Sequence, residues 1–162
     1  MKIYCNYEKL VDPKKLKDHP KNRNQHGSDQ IERLAKLYKA NGIRQPITVS
    51  NLSGFIVFGH GRKLAAIRAG IKEFPVVYQD FDSTEQEYAS IQADNAISSW
   101  SELDLSSINS DLADLGPDFD VDSLGIKNFV LDLAENDSEF DPSAATEEKK
   151  EHKTCPNCGE PI

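Results

Sequence analysis

The sequence contains few cysteines, no long apolar segment and no sign of a secretion signal. Three of its 162 residues are cysteine, one is methionine and one is tryptophan. A small, odd number of cysteines argues against a secreted fold held by disulfides. No run of about 18 apolar residues is present, so no membrane-spanning helix is predicted. Residues 1–9 lack the apolar core of a signal peptide. We therefore expect a cytoplasmic chain without a membrane partner.

Charge is distributed unevenly along the chain. The net charge is −8. Residues 1–79 carry 15 lysines and arginines against 6 acidic residues, a balance of +9, whereas residues 80–162 carry 4 against 21, a balance of −17. Such a division is typical of a domain that binds a polyanion and is followed by an acidic tail. The alternative interpretation is that these side chains only solvate exposed faces of the protein.

Hydrophobic periodicity and turn residues predict an alternation of helices and short strands. Residues 11–20 are expected to be extended, and residues 21–27 to form a polar loop. Ser28 and Ser83 are predicted N-caps, the second within a capping box. Helices are predicted where apolar residues recur every three or four positions, at residues 28–42, 62–69, 83–96 and 105–115. Strands are predicted at residues 46–50, 55–58 and 74–78, the first two as a hairpin.

These features divide the chain into four parts. A compact basic domain is predicted over residues 1–98, followed by a helical extension over residues 99–133. Residues 134–153 are charged and poor in apolar side chains, which predicts a disordered acidic linker. Residues 154–162 form a short terminal piece that contains two of the three cysteines.

The segment Gly59-His60-Gly61-Arg62 lies where a predicted strand meets a predicted helix. Glycines at such a junction let backbone N–H groups approach a phosphate closely, and the helix N-terminus favours a negative charge. An arginine in the first helical turn, here Arg62, is able to bind two phosphate oxygens at once. The alternative is a tight turn that needs glycine for its backbone conformation, with Arg62 facing water and His60 as an ordinary turn residue.

Three stretches within residues 16–95 resemble the ParB/sulfiredoxin-like superfamily, in the branch of ParB N-terminal domains. They are the run PKNRN at residues 20–24, the helix-then-strand signature at residues 31–49 and the box GHGRKLAA at residues 59–66. The resemblance implies an α+β fold, in which helices flank a small mixed sheet. It also implies a nucleotide-phosphate site formed by Gly59, His60, Gly61, Arg62 and Lys63, together with Gln45. Because His60 and Gly61 replace the Glu-Arg of partition proteins, ATP and CTP both remain candidate nucleotides.

Asp94 and Asn95 align with an acidic-Asn pair that helps to hold Mg²⁺ in nucleotide-binding members of the superfamily. Mg²⁺ prefers oxygen ligands, of which one or two come from protein and the others from phosphate and water. The alternative is that Asp94 only caps or decorates the end of a helix. Residues 86–126 further resemble ParB-like domains that precede phage and mobile-element DNA methyltransferases. This chain has no Asp/Asn-Pro-Pro-Tyr methylase motif, so methyl transfer by the chain itself is not expected.

The sequence Cys155-Pro156-Asn157-Cys158 has the Cys-x₂-Cys spacing of a structural zinc site. It is half of a zinc-ribbon site, and His152 is a candidate third ligand. Because a structural zinc site has four ligands, a second copy of the chain in a homodimer, or another protein, would supply the remainder. The alternative is an unmetallated remnant of a longer zinc ribbon.

Three functions are consistent with these features. The first is a DNA-associated ParB-like module of a phage or mobile element, which binds nucleotide and Mg²⁺ and contacts the DNA backbone through Lys21, Arg23 and Arg44. The second is a Mg²⁺-dependent nuclease or NTPase with His60 and Asp94 as candidate catalytic groups. The third is an adaptor of a DNA-modification system. Its acidic residues 80–148 would bind a DNA methyltransferase or another phage or host protein, or cover the chain's own basic half.

Overall fold

A computed structural model of the chain describes residues 1–116 and 118–126. These residues belong to one compact unit. The end of the predicted helical extension, the predicted acidic linker at residues 134–153 and the predicted zinc knuckle at Cys155 and Cys158, with His152, lie outside the described residues. The knuckle and the linker therefore stay predictions.

Five short strands within the described residues form one mixed sheet. They are β1 (Lys9–Val11), β2 (Lys17–Asp18), β3 (Ile47–Ser50), β4 (Phe55–Phe58) and β5 (Phe74–Gln79). Their order across the sheet is β1-β5-β3-β4-β2. The pairs β1–β5 and β3–β4 are antiparallel, whereas β3–β5 and β2–β4 are parallel. The predicted hairpin of β3 and β4 is confirmed, and so is the mixed α+β architecture.

Four α-helices accompany the sheet within the described residues. They are α1 (Ser28–Asn41), α2 (His60–Arg68), α3 (Thr84–Ser98) and α4 (Leu105–Leu115). The core lies between the sheet and helices α1 and α2. Ile47, Ile56 and Phe74 in three different strands are fully buried there, and burial of each such side chain contributes about 1.5–3 kcal/mol. The small side chains of Ala65 and Ala66 let α2 approach this core closely.

Two segments that precede the β3–β4 hairpin in the chain differ from the sequence prediction. Helix α1 begins at Ser28 itself, and Gly27 rather than Ser28 occupies the N-cap position. The segment predicted to be extended contains a 3₁₀ turn at Pro13–Lys15 between β1 and β2. Asp12 Oδ1 accepts a hydrogen bond from the Lys14 amide at 3.0 Å, because a proline at the first turn position leaves the next amide for the cap.

The predicted cap of α3 is confirmed in its main feature. Ser83 Oγ accepts a hydrogen bond from the Gln86 amide at 3.2 Å. The Gln86 side chain reaches one residue further back than a capping box requires, since its Oε1 accepts from the Asp82 amide at 2.7 Å. Within the described part of the chain, every helix is too short or too polar to cross a membrane.

Candidate phosphate-binding site

Gly59 forms the junction between β4 and α2. Its backbone has φ 99° and ψ 31°, a left-handed conformation that glycine adopts without strain. Helix α2 therefore begins at His60, two residues before the predicted start at Arg62, and the Lys63 amide donates to the Gly59 carbonyl at 3.0 Å. Glycine offers no side-chain cap, so the first amides of α2 are available to another acceptor, such as an anion.

Replacing Gly59 with alanine is expected to lower both stability and affinity for an anionic ligand. A Cβ at this position would lie 3.3 Å from Arg62 Nη1 and 3.4 Å from Ile47 Cγ1, so the arginine side chain would have to move. The left-handed backbone costs about 1–2 kcal/mol for a residue with a Cβ. Denaturant unfolding and nucleotide titration measure the two effects separately.

Gly54→Ala is the matched control for this substitution. Gly54 also has a positive φ, 73°, but a Cβ there would meet nothing within 4 Å. Gly59→Ala is expected to lose at least as much stability as Gly54→Ala, and only Gly59→Ala is expected to lose nucleotide affinity. Equal affinities in the two variants would show that the Gly59 junction does not shape the site.

Arg62 connects the start of α2 to the segment that enters β3. Its Nη1 donates to the Pro46 carbonyl at 3.0 Å, and its Nη2 donates to Gln45 Oε1. The structure thus brings together Arg62 and Gln45, two of the predicted phosphate-binding residues. Because a guanidinium carries five N–H donors, these two bonds orient its plane and leave further donors for a ligand.

A cleft of about 310 Å³ opens at the start of α2. One side is formed by all four residues of the predicted phosphate loop, Gly59, His60, Gly61 and Arg62. The other sides come from the polar loop before α1, from α1 and from the last turns of α3. They include Asn22, Asn24, His26, Gln30, Asp94, Asn95 and Ser98. Guanidinium, carboxylate, amide and imidazole groups thus converge on the cleft, a lining suited to a polar ligand.

Lys63, a predicted phosphate contact, lies away from this cleft. Its side chain is buried, and its Nζ lies 2.6 Å from Asp18 Oδ2 of β2. Lys63 is not among the residues that line the cleft. The ion pair attaches α2 to the edge strand of the sheet, so Arg62 rather than Lys63 supplies the positive charge at the predicted phosphate loop.

His60 lines the cleft but its ring is largely buried, with 9% of the residue exposed. Its Nε2 accepts a hydrogen bond from the His19 amide at 3.3 Å. Burial, the largest cause, lowers the pKa of His60 from 6.5 to about 4, and the nearby Asp18 carboxylate only partly opposes this shift. His60 is therefore neutral at pH 7, and its acceptor nitrogen holds the segment that contains His19.

Asp94 and Asn95, the predicted Mg²⁺ pair, both line the cleft at the end of α3. Asp94 is exposed to solvent. Asn95 is engaged: its Oδ1 accepts from Asn24 Nδ2 at 3.0 Å, and its Nδ2 donates to Asn22 Oδ1 at 3.4 Å. Asp94 thus lines the cleft as an exposed residue, whereas Asn95 holds the polar loop.

His26 lies at the cleft although nothing in the local sequence marks it. A Cβ added at Gly61 would lie 2.9 Å from His26 Cε1 and 3.1 Å from Nδ1, so the ring packs directly on the glycine. His26 Nδ1 also lies 3.0 Å from Gln30 Oε1. Gly61 thus allows the polar loop to approach the start of α2 closely. This contact is visible only in the folded chain.

The three predicted DNA contacts are all exposed, but they lie against different elements. Lys21 Nζ is 5.6 Å from the ring centroid of Tyr88 on α3. Arg44 Cζ is 4.5 Å from the ring centroid of Tyr4 in the N-terminal segment. Arg23 lies in the polar loop beside the cleft. Stacking on an aromatic ring orients a cation while leaving its charge accessible.

Comparison with known proteins agrees with this architecture. The model of the ParB N-terminal domain family matches residues 6–95, more than half of the chain. A similar solved structure is the C-terminally truncated chromosome-partitioning protein ParB from Caulobacter crescentus, complexed with CTP-γ-S. It is 23% identical with a TM-score of 0.55, and the alignment covers 65% of this chain and 61% of that one. A Pnob8-like ParB-N domain is 21% identical with a TM-score of 0.45, over 68% of this chain and 48% of that one.

No significant match is found among curated proteins. The chain spans less than two thirds of the length of either solved structure. The matched residues 6–95 nevertheless include all five strands, the predicted phosphate loop, Asp94 and Asn95. The chain belongs to the family of ParB N-terminal domains.

Proposed function

We propose that the chain binds a nucleoside triphosphate, ATP or CTP, in the cleft at the start of α2 and contacts DNA through its basic N-terminal half. The observation that carries the proposal is the left-handed turn at Gly59, which opens the start of α2 beside Arg62. A helix N-terminus and a guanidinium together favour a phosphate group. The complex of Caulobacter crescentus ParB with CTP-γ-S supports a nucleotide as the ligand.

Mg²⁺ would accompany the nucleotide and be held by Asp94, with Asn95 as the predicted second residue. The described residues contain no group of three or more His, Cys, Asp or Glu side chains arranged to hold a metal ion. Mg²⁺ takes few ligands from protein and the others from phosphate oxygens and water. The bound ion would neutralise part of the phosphate charge.

A thermal-shift titration with ATP, CTP and GTP, with and without Mg²⁺, tests the nucleotide proposal. A ligand at 100 times its Kd stabilises the native protein by about 2.7 kcal/mol. We expect ATP or CTP with Mg²⁺ to raise the melting temperature by several degrees, and omission of Mg²⁺ to reduce the shift. If all three nucleotides leave the melting temperature unchanged at millimolar concentrations, the proposal is wrong.

Arg23→Ala and Arg44→Ala are each expected to weaken DNA binding at low salt. Both side chains are exposed, and each would neutralise one phosphate. Each loss should therefore reduce the slope of log K against log salt concentration by about 1, with little dependence on DNA sequence. Fluorescence anisotropy over a salt series measures the slope. Arg68→Ala is the matched control, because Arg68 is exposed but paired with Glu32 at 2.6 Å; identical slopes in all three variants would contradict the proposed interface.

A second candidate function, an adaptor that covers its own basic half, is favoured by one contact. Arg33 Nη1 of α1 donates to the Ile126 carbonyl at 3.1 Å, although Arg33 and Ile126 are far apart in the chain. A cavity beside Arg33 is lined by Lys36 of α1 and by Asp120 and Asp122. The acidic segment at residues 118–126 thus lies beside two cationic side chains of α1. In this proposal a DNA methyltransferase or another protein of a phage or mobile element would displace the segment.

Deletion of residues 118–162 is expected to raise DNA affinity if the segment masks α1, because the deletion uncovers Arg33 and Lys36 and removes negative charge. Deletion of residues 134–162 alone keeps the docked segment and serves as the control. Anisotropy measurements at one salt concentration compare the two. Masking by residues 118–126 is ruled out if the longer deletion binds DNA no more tightly than the shorter one.

The geometry of His60 argues against the hydrolytic alternative. Its basic nitrogen Nε2 already accepts a hydrogen bond from the His19 amide, and its low pKa keeps the ring from acting as an imidazolium acid at neutral pH. Asp94 alone would then have to supply the acid–base chemistry of a nuclease or NTPase. The binding function needs neither group as a catalyst.

A further inference from the structure

Glu87 is a fully buried carboxylate in the first half of α3. Only 1% of the residue is exposed. Its Oε2 accepts a hydrogen bond from Ser50 Oγ at 2.7 Å, and its Oε1 accepts from Ser53 Oγ at 2.7 Å. His19 Nε2 lies 3.1 Å from the same Oε1. A buried carboxylate persists only when it is paired and hydrogen-bonded, and these three partners come from two separate parts of the chain.

His19 links Glu87 to the residues that form the cleft. Its Nδ1 accepts a hydrogen bond from the Lys21 amide at 3.1 Å, so the ring carries its proton on Nε2, facing Glu87. The His19 amide in turn donates to His60 Nε2 at 3.3 Å, at the first residue of α2. His19 thus connects the buried carboxylate of α3 to the polar loop through its imidazole and to the phosphate loop through its backbone amide.

The polar loop follows α3 from Glu87 to the cleft. After His19 beside Glu87, the Lys21 carbonyl accepts from Gln92 Nε2 at 3.1 Å. Asn24 Nδ2 then donates to Asn95 Oδ1 at 3.0 Å. These contacts extend along α3 from Glu87 to Asn95, a distance of roughly 12 Å at a rise of 1.5 Å per residue. The far end of the series forms one wall of the cleft, where Asn22, Asn24 and Asp94 lie.

We propose that Glu87 is a positioning residue for the ligand site: through His19 it holds the polar loop against α3 and fixes His60 at the start of α2. This inference rests on the proposed nucleotide function. Glu87 itself does not line the cleft, so it acts through the residues it holds. Loss of its charge is expected to loosen the loop wall and weaken nucleotide binding without changing any group that touches the ligand.

The test compares three variants. Glu87→Gln keeps the shape of the side chain but removes its charge. His19→Phe removes the link to Glu87 and retains a ring edge-on to Phe55, where the ring centroids are 5.7 Å apart. Ser53→Ala is the matched control, because it removes a 2.7 Å hydrogen bond to Glu87 but leaves the charge of Glu87 and the contact with His19 in place. Two quantities are measured: the Kd for ATP and CTP with Mg²⁺, and hydrogen exchange at the Asn24 amide.

Glu87→Gln and His19→Phe are each expected to raise the Kd about tenfold and to speed exchange at Asn24, whereas Ser53→Ala changes neither. If Glu87→Gln does not fold, His19→Phe decides the matter. A purely structural Glu87 would give native Kd values and native Asn24 exchange in the folded variants, which would overturn the inference. Failure of the wild type to bind either nucleotide would refute the proposed function instead. The exchange rates would still decide whether Glu87 holds the loop.

Discussion

Arg62→Ala is expected to weaken binding of ATP or CTP with Mg²⁺ by about 10- to 100-fold, because each hydrogen bond between charged groups contributes roughly 1.5–3 kcal/mol. Arg62 is the one cationic side chain of the predicted phosphate loop that lines the cleft, since Lys63 is paired with Asp18. The loss should appear in the Kd measured by isothermal titration calorimetry. The free energy of unfolding should fall by less than the free energy of nucleotide binding, since the substitution removes only the hydrogen bonds to Pro46 and Gln45 at a partly exposed position.

Two further variants make the Arg62 experiment specific. Arg62→Lys keeps the charge but loses the planar fork that binds two oxygens at once, so it should recover only part of the affinity. Arg68→Ala removes an arginine from the last turn of the same helix, where it pairs with Glu32, and should bind nucleotide normally. Equal binding by Arg62→Ala and Arg68→Ala would show that nucleotide is bound somewhere else.

Acid is expected to destabilise the protein through His60. The pKa of His60 is about 4 in the folded protein, against 6.5 for an ordinary histidine. Above pH 6.5 the ring is neutral in both states and has no effect. As the pH falls from 6.5 toward 4, the unfolded chain takes up a proton that the folded chain does not, so the free energy of unfolding decreases. Between pH 7 and pH 5 this decrease should be roughly 2 kcal/mol.

His60→Gln isolates this contribution from that of the other titrating groups. The glutamine oxygen is able to accept the hydrogen bond from the His19 amide, and it takes up no proton over this range. Urea unfolding at pH 7, 6 and 5 should therefore show a steeper loss of stability in the wild type than in His60→Gln. Parallel stability curves for the two proteins would mean that His60 titrates normally in the folded state.

The elements with strong local signals could be predicted from the sequence. The hairpin of β3 and β4, helix α3 with its Ser83 cap and helix α4 were all predicted near their observed positions. Strands β1 and β2 were not, because they have only three and two residues, too few to show an alternating pattern. Their pairing depends on partners far along the chain.

The candidate site was predicted in its loop and in Asp94 and Asn95, but not in the pairings that surround them. Gly59 and Arg62 carry a local signal, and the structure places both at the cleft. The partner of Lys63 is Asp18, and that of Glu87 is His19; both pairs form only when distant segments meet. The sequence around Lys63 and Glu87 is the same whether their side chains face a ligand, solvent or a buried partner. Tertiary contacts decide among these roles.

The central claim, a nucleotide held at the start of α2, is tested most directly by backbone amide NMR during titration with ATP or CTP and Mg²⁺. The account predicts saturable chemical-shift changes that are largest at Gly61, Arg62 and Asn95, and that are greatly reduced in Arg62→Ala. Shifts that do not saturate, or that occur only at residues remote from the cleft, would contradict it.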